Sequence, residues 1–330
     1  MIKLRLVILI ASFLLPIAGF AATQINGAGA SFPYPIYSKW FSEYNKVKPE
    51  VKFNYQAIGS GGGIRQLIKQ TVDFGASDAP MRDKDMKRAA WPVKHIPTVL
   101  GAVAVTYNVE GIKTNLKLDG ETLADIFMGK ITKWNDAKIA ALNTRTKLPP
   151  ADILVVRRAD GSGTTAIFTD YLSNASQVWK DKYGMGKSLR WPTGIGAKGN
   201  DGVTNMVKQT NGAIGYVELA YAFKNNLSVV ALKNKAGEFQ APTVAGVSKA
   251  AAKVKDDGTG FRVSIVNTEG KGVYPISAFT YILLPEAKNP KLAEVKTFLK
   301  WALKDGQSYA SKLHYAPLPK TVTKSVLKQL

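Results

Sequence analysis

Three glycine-rich segments contain residue types that suit the binding of a small anion. They are residues 26–33 (NGAGASFP), 59–65 (GSGGGIR) and 157–164 (RRADGSGT), and each directly precedes a predicted helix. Glycine lets backbone N–H groups approach a ligand closely, and the start of a helix adds unpaired N–H donors and about half a positive charge. Each segment alone is weak support, because Ser, Thr and Gly are also ordinary residues at a helix start. Three in one chain favour an anion-binding site.

The third segment offers the richest set of donors. Arg158 has a planar guanidinium that suits a tetrahedral oxyanion, and Asp160 is close enough in sequence to orient it. Ser162 and Thr164 can donate hydroxyl groups, while Gly163 and Thr164 offer backbone N–H groups. The segment is not a Walker A loop, because no Gly-Lys-[Ser/Thr] follows. Nucleotide hydrolysis therefore loses its main support.

Asp78, in the segment FGASDAP, follows a short predicted strand. It can be an ordinary turn aspartate or helix cap. The functional alternative is a carboxylate in an anion site, which makes sense when the anion itself carries a proton. Phosphate at neutral pH has at least one P–OH group that can donate a hydrogen bond to an ionised Asp, whereas sulfate has no such group. A site built around a ligand hydroxyl can reject an analogue that lacks it by about 10⁴–10⁵.

The sequence gives little support for dinucleotide binding, metal binding or catalysis by a triad. Residues 194–199 (GIGAKG) match the G-x-G-x-x-G pattern of dinucleotide sites, with Glu218 about 20 residues beyond, but the preceding strand, 188–191, would be short and stopped by a proline. We interpret the match as a loop. The chain has no cysteine, and its two histidines, His95 and His314, lie far apart and beside no serine loop. We therefore expect no metal, no cofactor and no catalytic triad.

Predicted strands alternate with predicted helices along the chain. This alternation indicates an α/β fold with largely parallel sheets. In such folds ligands bind at the carboxyl ends of strands, where loops meet helix starts. The predicted strands cover residues 51–58, 73–77, 97–109, 153–158, 213–219, 227–232 and 275–284, and the predicted helices cover 64–71, 118–128, 137–142, 165–172, 203–208, 290–302 and 305–313.

Residues 1–21 have the features of a signal peptide. Lys3 and Arg5 precede an apolar run over residues 6–15, and small residues then offer a cleavage site after about Ala21. A run of about ten residues is too short for a bilayer, which needs about 20. A signal anchor is the alternative. Without cysteine, the exported chain can have neither disulfides nor a lipidated N-terminal cysteine.

The length and net charge of the chain bear on its number of domains and on its binding partners. Residues 22–330 exceed the usual ceiling of about 250–300 residues for one core, so we expect two domains. The net charge of +21 permits contact with nucleic acid or an anionic membrane, and it also raises the local concentration of small anions. The basic residues are scattered, with no long block and no interleaved aromatic motif, so no nucleic-acid partner is expected.

Five segments together carry a family resemblance. They are GAGASFPYPIYSKW, YQAIGSGGGIR, VDFGASDAPM, VVRRADGSGTT and GAIGYVELAY, in this order. The chain resembles the periplasmic phosphate-binding proteins of high-affinity phosphate ABC transporters, from about Asn26 to Pro319. The resemblance implies a type II periplasmic-binding-protein fold, in which two α/β lobes joined by two hinge crossovers enclose a dehydrated anion.

The resemblance also implies a set of ligand contacts. Asp78 would accept the phosphate proton, and Arg158 would donate twice while Asp160 holds it in place. Two departures are visible, since Ser31 stands where many relatives have Thr and Gly61 stands where Ser is common. Neither change removes a donor. The donors implied by the resemblance are Ser31, Phe32, Ser60, Arg158, Ser162, Gly163 and Thr164.

By the same resemblance, lobe I would combine residues 22–101 with 277–330, and lobe II would be residues 102–276. The hinges would lie near residues 99–105 and 272–279. The implied protein is a periplasmic monomer that binds inorganic phosphate, delivers it to the permease of an ABC transporter and is not an enzyme. The alternatives are a binding protein for another oxyanion and a phosphatase-like enzyme that uses the same loops.

Overall fold

The computed structural model describes residues 22–112, 115–255 and 258–330, so the predicted signal peptide lies outside the described residues. The strands are β1 (Thr23–Gly29), β2 (Val51–Gln56), β3 (Phe74–Ser77), β4 (Val93–Asn108), β5 (Lys117–Leu118), β6 (Leu154–Arg158), β7 (Ile195–Ala197), β8 (Ala213–Glu218), β9 (Ser228–Val229), β10 (Ala231–Lys233), β11 (Phe239–Gln240) and β12 (Ser277–Pro285).

The helices are α1 (Tyr34–Val47), α2 (Ser60–Ile68), α3 (Asp83–Met86), α4 (Gly120–Phe127), α5 (Ala137–Leu142), α6 (Gly163–Ala175), α7 (Gln177–Lys182), α8 (Gly199–Gln209), α9 (Leu219–Lys224), α10 (Val244–Ala251), α11 (Pro290–Lys304) and α12 (Lys320–Gln329). Two 3-10 turns, Asp305–Tyr309 and Ser311–Leu313, follow α11. Among the described residues, no helix is long and apolar enough to cross a membrane.

Nine strands form one mixed sheet in the order β2-β1-β3-β12-β4-β8-β6-β7, with β9 beside β4. The long strand β4 joins its two parts, because it pairs antiparallel with β12 through residues 93–102 and antiparallel with β8 through residues 103–108. We call β2, β1, β3 and β12 the first half-sheet, and β8, β6 and β7 the second half-sheet. A separate small sheet has the order β11-β10-β5.

The directions of the strands bring loops from both half-sheets to the middle of β4. Strand β3 is parallel to β1 and runs antiparallel to β12, toward the start of β12 at Ser277, which pairs with Ala102. Strand β8 is parallel to β6 and ends at Glu218, which pairs with Val103. The carboxyl ends of the two parallel sets therefore point toward the same place from opposite sides, where a ligand can contact the loops of both.

The central strands are buried on both faces, as is typical of a sheet covered by helices on each side. Aromatic rings fill the core of each half. In the first, the rings of Phe41, Phe53 and Phe298 lie 4.6–5.2 Å apart between centroids. In the second, Phe168 stacks on Tyr216 at 4.2 Å. Large buried aromatic side chains contribute strongly to packing, and here they hold the loops above them in place.

The predicted α/β class is confirmed, and most predicted elements occur near their expected positions. The sheet is mixed and not largely parallel, because β4 and β12 run antiparallel to their neighbours. The predicted strand 227–232 is divided between β9 and β10, which belong to different sheets. Residues 188–191 form no strand, and the predicted helix 305–313 is two 3-10 turns.

Candidate functional site

The third glycine segment presents a guanidinium whose orientation is set by a carboxylate. Arg158 is 3% exposed at the end of β6. Its Nε and Nη2 donate to the two oxygens of Asp160 at 2.8 and 2.6 Å, and its Nη1 donates to Thr164 Oγ1 at 3.3 Å. Burial raises the pKa of Asp160, but the hydrogen bonds and charge of Arg158 outweigh burial and leave that pKa below its usual value. The lowered pKa favours the ionised form of Asp160, which orients the guanidinium toward the cleft.

The start of α6 adds further donors beside Arg158. Ser162 is the N-cap of this helix, and its Oγ accepts the N–H of Thr165 at 3.0 Å. The Ser162 hydroxyl proton is free to be donated elsewhere, because the cap uses only the oxygen as an acceptor. Gly163 and Thr164, at the first positions of α6, have N–H groups without helical partners.

Asp78 follows β3 and is 3% exposed. Its Oδ1 accepts the hydroxyl of Thr280 at 2.9 Å, and its Oδ2 accepts the hydroxyl of Ser60 at 3.4 Å. Burial raises the pKa of Asp78 to about 7, and the Thr280 hydrogen bond, the charge of Arg158 and the Ser60 hydrogen bond limit the rise. The carboxyl group is therefore poised to change its charge near neutral pH.

The loops from the two half-sheets meet closely at this point. The N–H of Gly61, in α2, donates to the carbonyl of Gly161 at 2.7 Å. A Cβ on Gly163 would come within 2.5 Å of Asp78 Oδ2 and closer still to Ser60 Oγ. Only glycine therefore permits this approach, and the structure has Asp78 and the Arg158 loop facing each other across a closed cleft.

Ser31, in the first glycine segment, adds a further polar group to those around the cleft. Its side chain is buried, with 2% of the residue exposed. Its Oγ accepts from the backbone N and the Nδ2 of Asn200 at 3.2 and 2.9 Å. The same Nδ2 reaches Thr164 Oγ1 at 3.3 Å, and Asn200 Oδ1 accepts the N–H of Glu218 at 2.9 Å. Asn200 thus connects the first glycine segment, the third glycine segment and the end of β8.

All of the predicted site residues lie in this one region. Ser31, Ser60, Asp78, Arg158, Asp160, Ser162, Gly163 and Thr164 are linked by the contacts above, and Phe32 adjoins Ser31. Sequence reasoning missed Asn200 and Thr280. The signal for Asn200 was the segment GIGAKG, which we interpreted as a loop and which is in fact strand β7 followed by the start of α8. A helix start at the end of a strand was the sign that could have found it.

Each of the two histidines contacts residues other than the polar groups around the cleft. His95 is 4% exposed, its Nε2 accepts the N–H of Met81 at 2.9 Å, and burial lowers its pKa to about 3. His314 stacks on Phe223 at 4.2 Å. Within the described ranges, no group of three or more His, Cys, Asp or Glu side chains could hold a metal ion.

A cavity of about 710 Å³ lies next to the site and shares Asp78 with it. Its wall carries several cations, including Arg65, Lys187 and Arg262. Lys187 Nζ donates to the carbonyl of Pro80 at 2.9 Å, and burial lowers its pKa to about 8. The wall also carries Asp85 and Asp170, so basic side chains outnumber acidic ones beside the site. A larger open groove of about 970 Å³ lies at α12, and none of the site residues lines it.

Comparison with known proteins places the chain in a family. The sequence matches the profile of the PBP superfamily domain over residues 17–305. The Phosphate-binding protein PstS of Pasteurella multocida is 46% identical over 312 residues, which cover 93% of this chain and 90% of that protein. Its counterpart in Xylella fastidiosa (strain Temecula1) is 43% identical over 309 residues, which cover 92% and 84%. A solved phosphate-binding protein from Stenotrophomonas maltophilia is 19% identical, with a TM-score of 0.70 and 94% of each chain covered.

The profile match and the facing loops define the class, which is an α/β binding protein of the PBP superfamily with the predicted type II fold. Within that superfamily, the identity to the curated relatives shows that the chain belongs to the PstS family of phosphate-binding proteins. The family resemblance seen in the sequence is thereby confirmed. These relatives are named as binding proteins and not as enzymes.

Proposed function

We propose that this protein binds inorganic phosphate between its two lobes and delivers it to the membrane permease of a phosphate ABC transporter. One observation carries the proposal: the carboxyl group of Asp78, which no ion pair engages among the described residues, faces the guanidinium of Arg158 and the donors at two helix starts, and both side chains are only 3% exposed. A ring of donors suits any small oxyanion. The added acceptor selects an anion that still carries a proton, as phosphate does.

The proposed contacts follow from the positions of the donors. Arg158 would donate two hydrogen bonds, with Asp160 holding it, and Asp78 would accept the phosphate proton. The hydroxyl and backbone N–H donors would be Ser31, Phe32, Ser60, Ser162, Gly163 and Thr164. Because the anion is dehydrated there, each of these hydrogen bonds forms in a low-dielectric surrounding and is stronger than in water.

We further propose that the half-sheets belong to two lobes, residues 22–101 with 277–330 and residues 102–276, which close over the anion. The passage of β4 and β12 across the centre of the sheet supports hinges near residues 99–105 and 272–279. Ligand then stabilises the closed form, because Asp78 and Arg158 contact the same anion only when the lobes meet.

The remaining features fit a monomeric carrier exported to the periplasm after removal of residues 1–21. The basic residues and the apolar run within residues 1–21 support export, and the names of the relatives support phosphate as the ligand. The partners would be phosphate and the permease subunits, with no cofactor and no catalysis. The test for catalysis is incubation with a chromogenic phosphate ester, for which we expect no turnover. Sustained release of the chromophore would favour the phosphatase-like alternative.

The decisive experiment is a calorimetric titration with orthophosphate and then with sulfate, repeated by tryptophan fluorescence. We expect saturable binding of one phosphate and weaker sulfate binding, by up to about 10⁴–10⁵. Arsenate, which keeps a proton, should bind. In Asp78→Asn, the amide can turn its NH₂ toward sulfate, so the discrimination should fall. No saturation with orthophosphate, or equal affinity for sulfate in the unaltered protein, would refute the proposal.

A further inference from the structure

Three tyrosine hydroxyls hold three consecutive carbonyls of the first glycine segment. Each hydroxyl lies at hydrogen-bond distance from a different carbonyl, and each tyrosine comes from a different part of the fold. Tyr55 donates to Ala30 O at 2.7 Å, Tyr221 donates to Ser31 O at 2.7 Å, and Tyr315 donates to Phe32 O at 2.6 Å.

The geometry of the peptide bond links these carbonyls to the N–H groups that face the anion. In a planar trans peptide, the C=O of one residue points away from the N–H of the next. Fixing the Ala30 carbonyl therefore fixes the Ser31 N–H in the opposite direction, and fixing the Ser31 carbonyl does the same for Phe32. Those two N–H groups are proposed phosphate donors. The third bond acts differently, because Pro33 has no N–H, so Tyr315 fixes the entry of the chain into α1.

The three tyrosines occupy both sides of the cleft. Tyr55 lies in β2 of the first half-sheet, and Tyr315 follows the 3-10 turns and neighbours β4 through Ala316, which bridges Leu100. Tyr221 lies in α9, directly after β8 of the second half-sheet. Its bond to Ser31 therefore joins the two sides of the cleft. Burial raises the pKa of all three hydroxyls, so each keeps the proton that it donates.

We propose that Tyr55, Tyr221 and Tyr315 are positioning residues that orient the donor loop toward the anion, and that Tyr221 does so only when the lobes close. This inference rests on the proposed phosphate site. Tyr55 and Tyr315 act from the lobe that carries the loop, so they pre-orient the donors before the anion arrives. Tyr221 adds its hydrogen bond on closure, so its contribution appears in the closed complex and holds the anion there.

A purely structural role makes a different prediction. Removing a buried tyrosine hydroxyl removes a hydrogen bond and lowers the free energy of unfolding, whether or not the loop is affected. The Ser31 carbonyl also accepts the N–H of Tyr34 at 3.2 Å, so in Tyr221→Phe it keeps one partner. Tyr107→Phe is the control, because Tyr107 is 1% exposed in the second part of β4 and its hydroxyl accepts the N–H of Leu116 at 3.2 Å, which is not part of the donor loop. Rates of phosphate binding separate the two roles, since a lost structural bond changes stability alone.

The experiment compares Tyr221→Phe with Tyr107→Phe by stopped-flow tryptophan fluorescence and by urea denaturation. We expect Tyr221→Phe to release phosphate about 3- to 10-fold faster with an unchanged association rate, which is the loss of one net hydrogen bond in the closed state. Tyr107→Phe should show the rates of the unaltered protein. Release at the unaltered rate from Tyr221→Phe, or equal acceleration in Tyr107→Phe, would overturn the inference.

The second pair of variants tests the same idea in the open form. Tyr55→Phe and Tyr315→Phe should slow association, because the donors are no longer oriented before the anion arrives. Unchanged association in both would overturn pre-orientation even if Tyr221→Phe failed to fold. The unaltered protein separates this inference from the proposed function: if it does not saturate with orthophosphate, the function itself is wrong, whereas normal saturation with unchanged variants refutes only the role of the tyrosines.

Discussion

The protonation of Asp78 should decide when sulfate can enter the site. Sulfate has no proton to donate, so its oxygens and those of an ionised carboxylate are all hydrogen-bond acceptors, and the two groups repel each other. When Asp78 is protonated, its O–H can donate to a sulfate oxygen, and the charge repulsion disappears. Because burial raises the pKa of Asp78 to about 7, this change falls in an accessible range of pH. We predict that sulfate binding strengthens as the pH falls toward 7.

The magnitude follows from the fraction of protein with neutral Asp78. If sulfate binds that form alone, the fraction is about 1% at pH 9, half at pH 7 and about 90% at pH 6. Sulfate affinity should then rise about 50-fold from pH 9 to pH 7 and less than about twofold from pH 7 to pH 6. Phosphate brings its own proton to share with Asp78, so its affinity should vary far less over the same range.

The assay is calorimetry with sulfate from pH 6 to pH 9 at constant ionic strength. Repeating the titration at pH 8 in two buffers with different heats of ionisation measures proton uptake, which we expect to be about one proton per sulfate. Asp78→Asn is the control, and its sulfate affinity should not depend on pH in this range. A flat sulfate affinity in the unaltered protein, or binding without proton uptake at pH 8, would refute the assignment of selectivity to Asp78.

Three further outcomes are expected. Gly163→Ala should abolish tight phosphate binding in a calorimetric titration, because its Cβ would lie 2.5 Å from Asp78 Oδ2, whereas in Gly202→Ala, where the nearest atom would be 3.5 Å away, binding should persist. Arg158→Ala should weaken phosphate and sulfate alike by about 2–5 kcal/mol, and a loss confined to one anion would contradict its role as a general oxyanion donor. His95 should contribute an acid-induced loss of stability of about 3 kcal/mol between pH 7 and pH 4, because its folded pKa, about 3, lies below the unfolded value of 6.5 and the unfolded chain binds more protons. Urea denaturation at both pH values should show a smaller loss for His95→Gln, and equal losses would count against this cause.

The pairing of Arg158 with Asp160 could be predicted from the sequence, because the two residues lie two positions apart in one loop. The structure joins them by two hydrogen bonds, and Ser162 is the N-cap of the helix that follows. The contacts that Asn200 and Tyr221 make with Ser31 could not be predicted in this way, since Ser31 lies 169 and 190 positions away from them in the chain. Their roles depend on how the strands are ordered across β4, which no local pattern contains.

The start of α2 shows why the helix boundaries were misplaced. The apolar pattern predicts a helix from residue 64, because glycine is a poor helix former. The helix in fact begins at Ser60 and includes three glycines. A Cβ on Gly63 would lie 2.5 Å from Ala28 O and 2.5 Å from Gly29 Cα, so the helix can pack on β1 only with glycine at that position. Close packing against the strand outweighs the intrinsic preference of these residues.

A second buried carboxyl group, that of Glu218, affects the charge near Asp78. Glu218 is fully buried at the end of β8, its Oε2 accepts the N–H of Ala220 at 2.7 Å, and the hydroxyl of Tyr315 lies beside its carboxyl group. Burial raises the pKa of Glu218 well above its usual value, which favours the neutral form of its carboxyl group. An ionised Glu218 would repel the negative charge of Asp78 and raise the pKa of Asp78 further, which would admit sulfate at higher pH. A neutral Glu218 adds no second negative charge beside Asp78, so it does not raise the pKa of Asp78 further and the Asp78 carboxyl group can ionise at a lower pH.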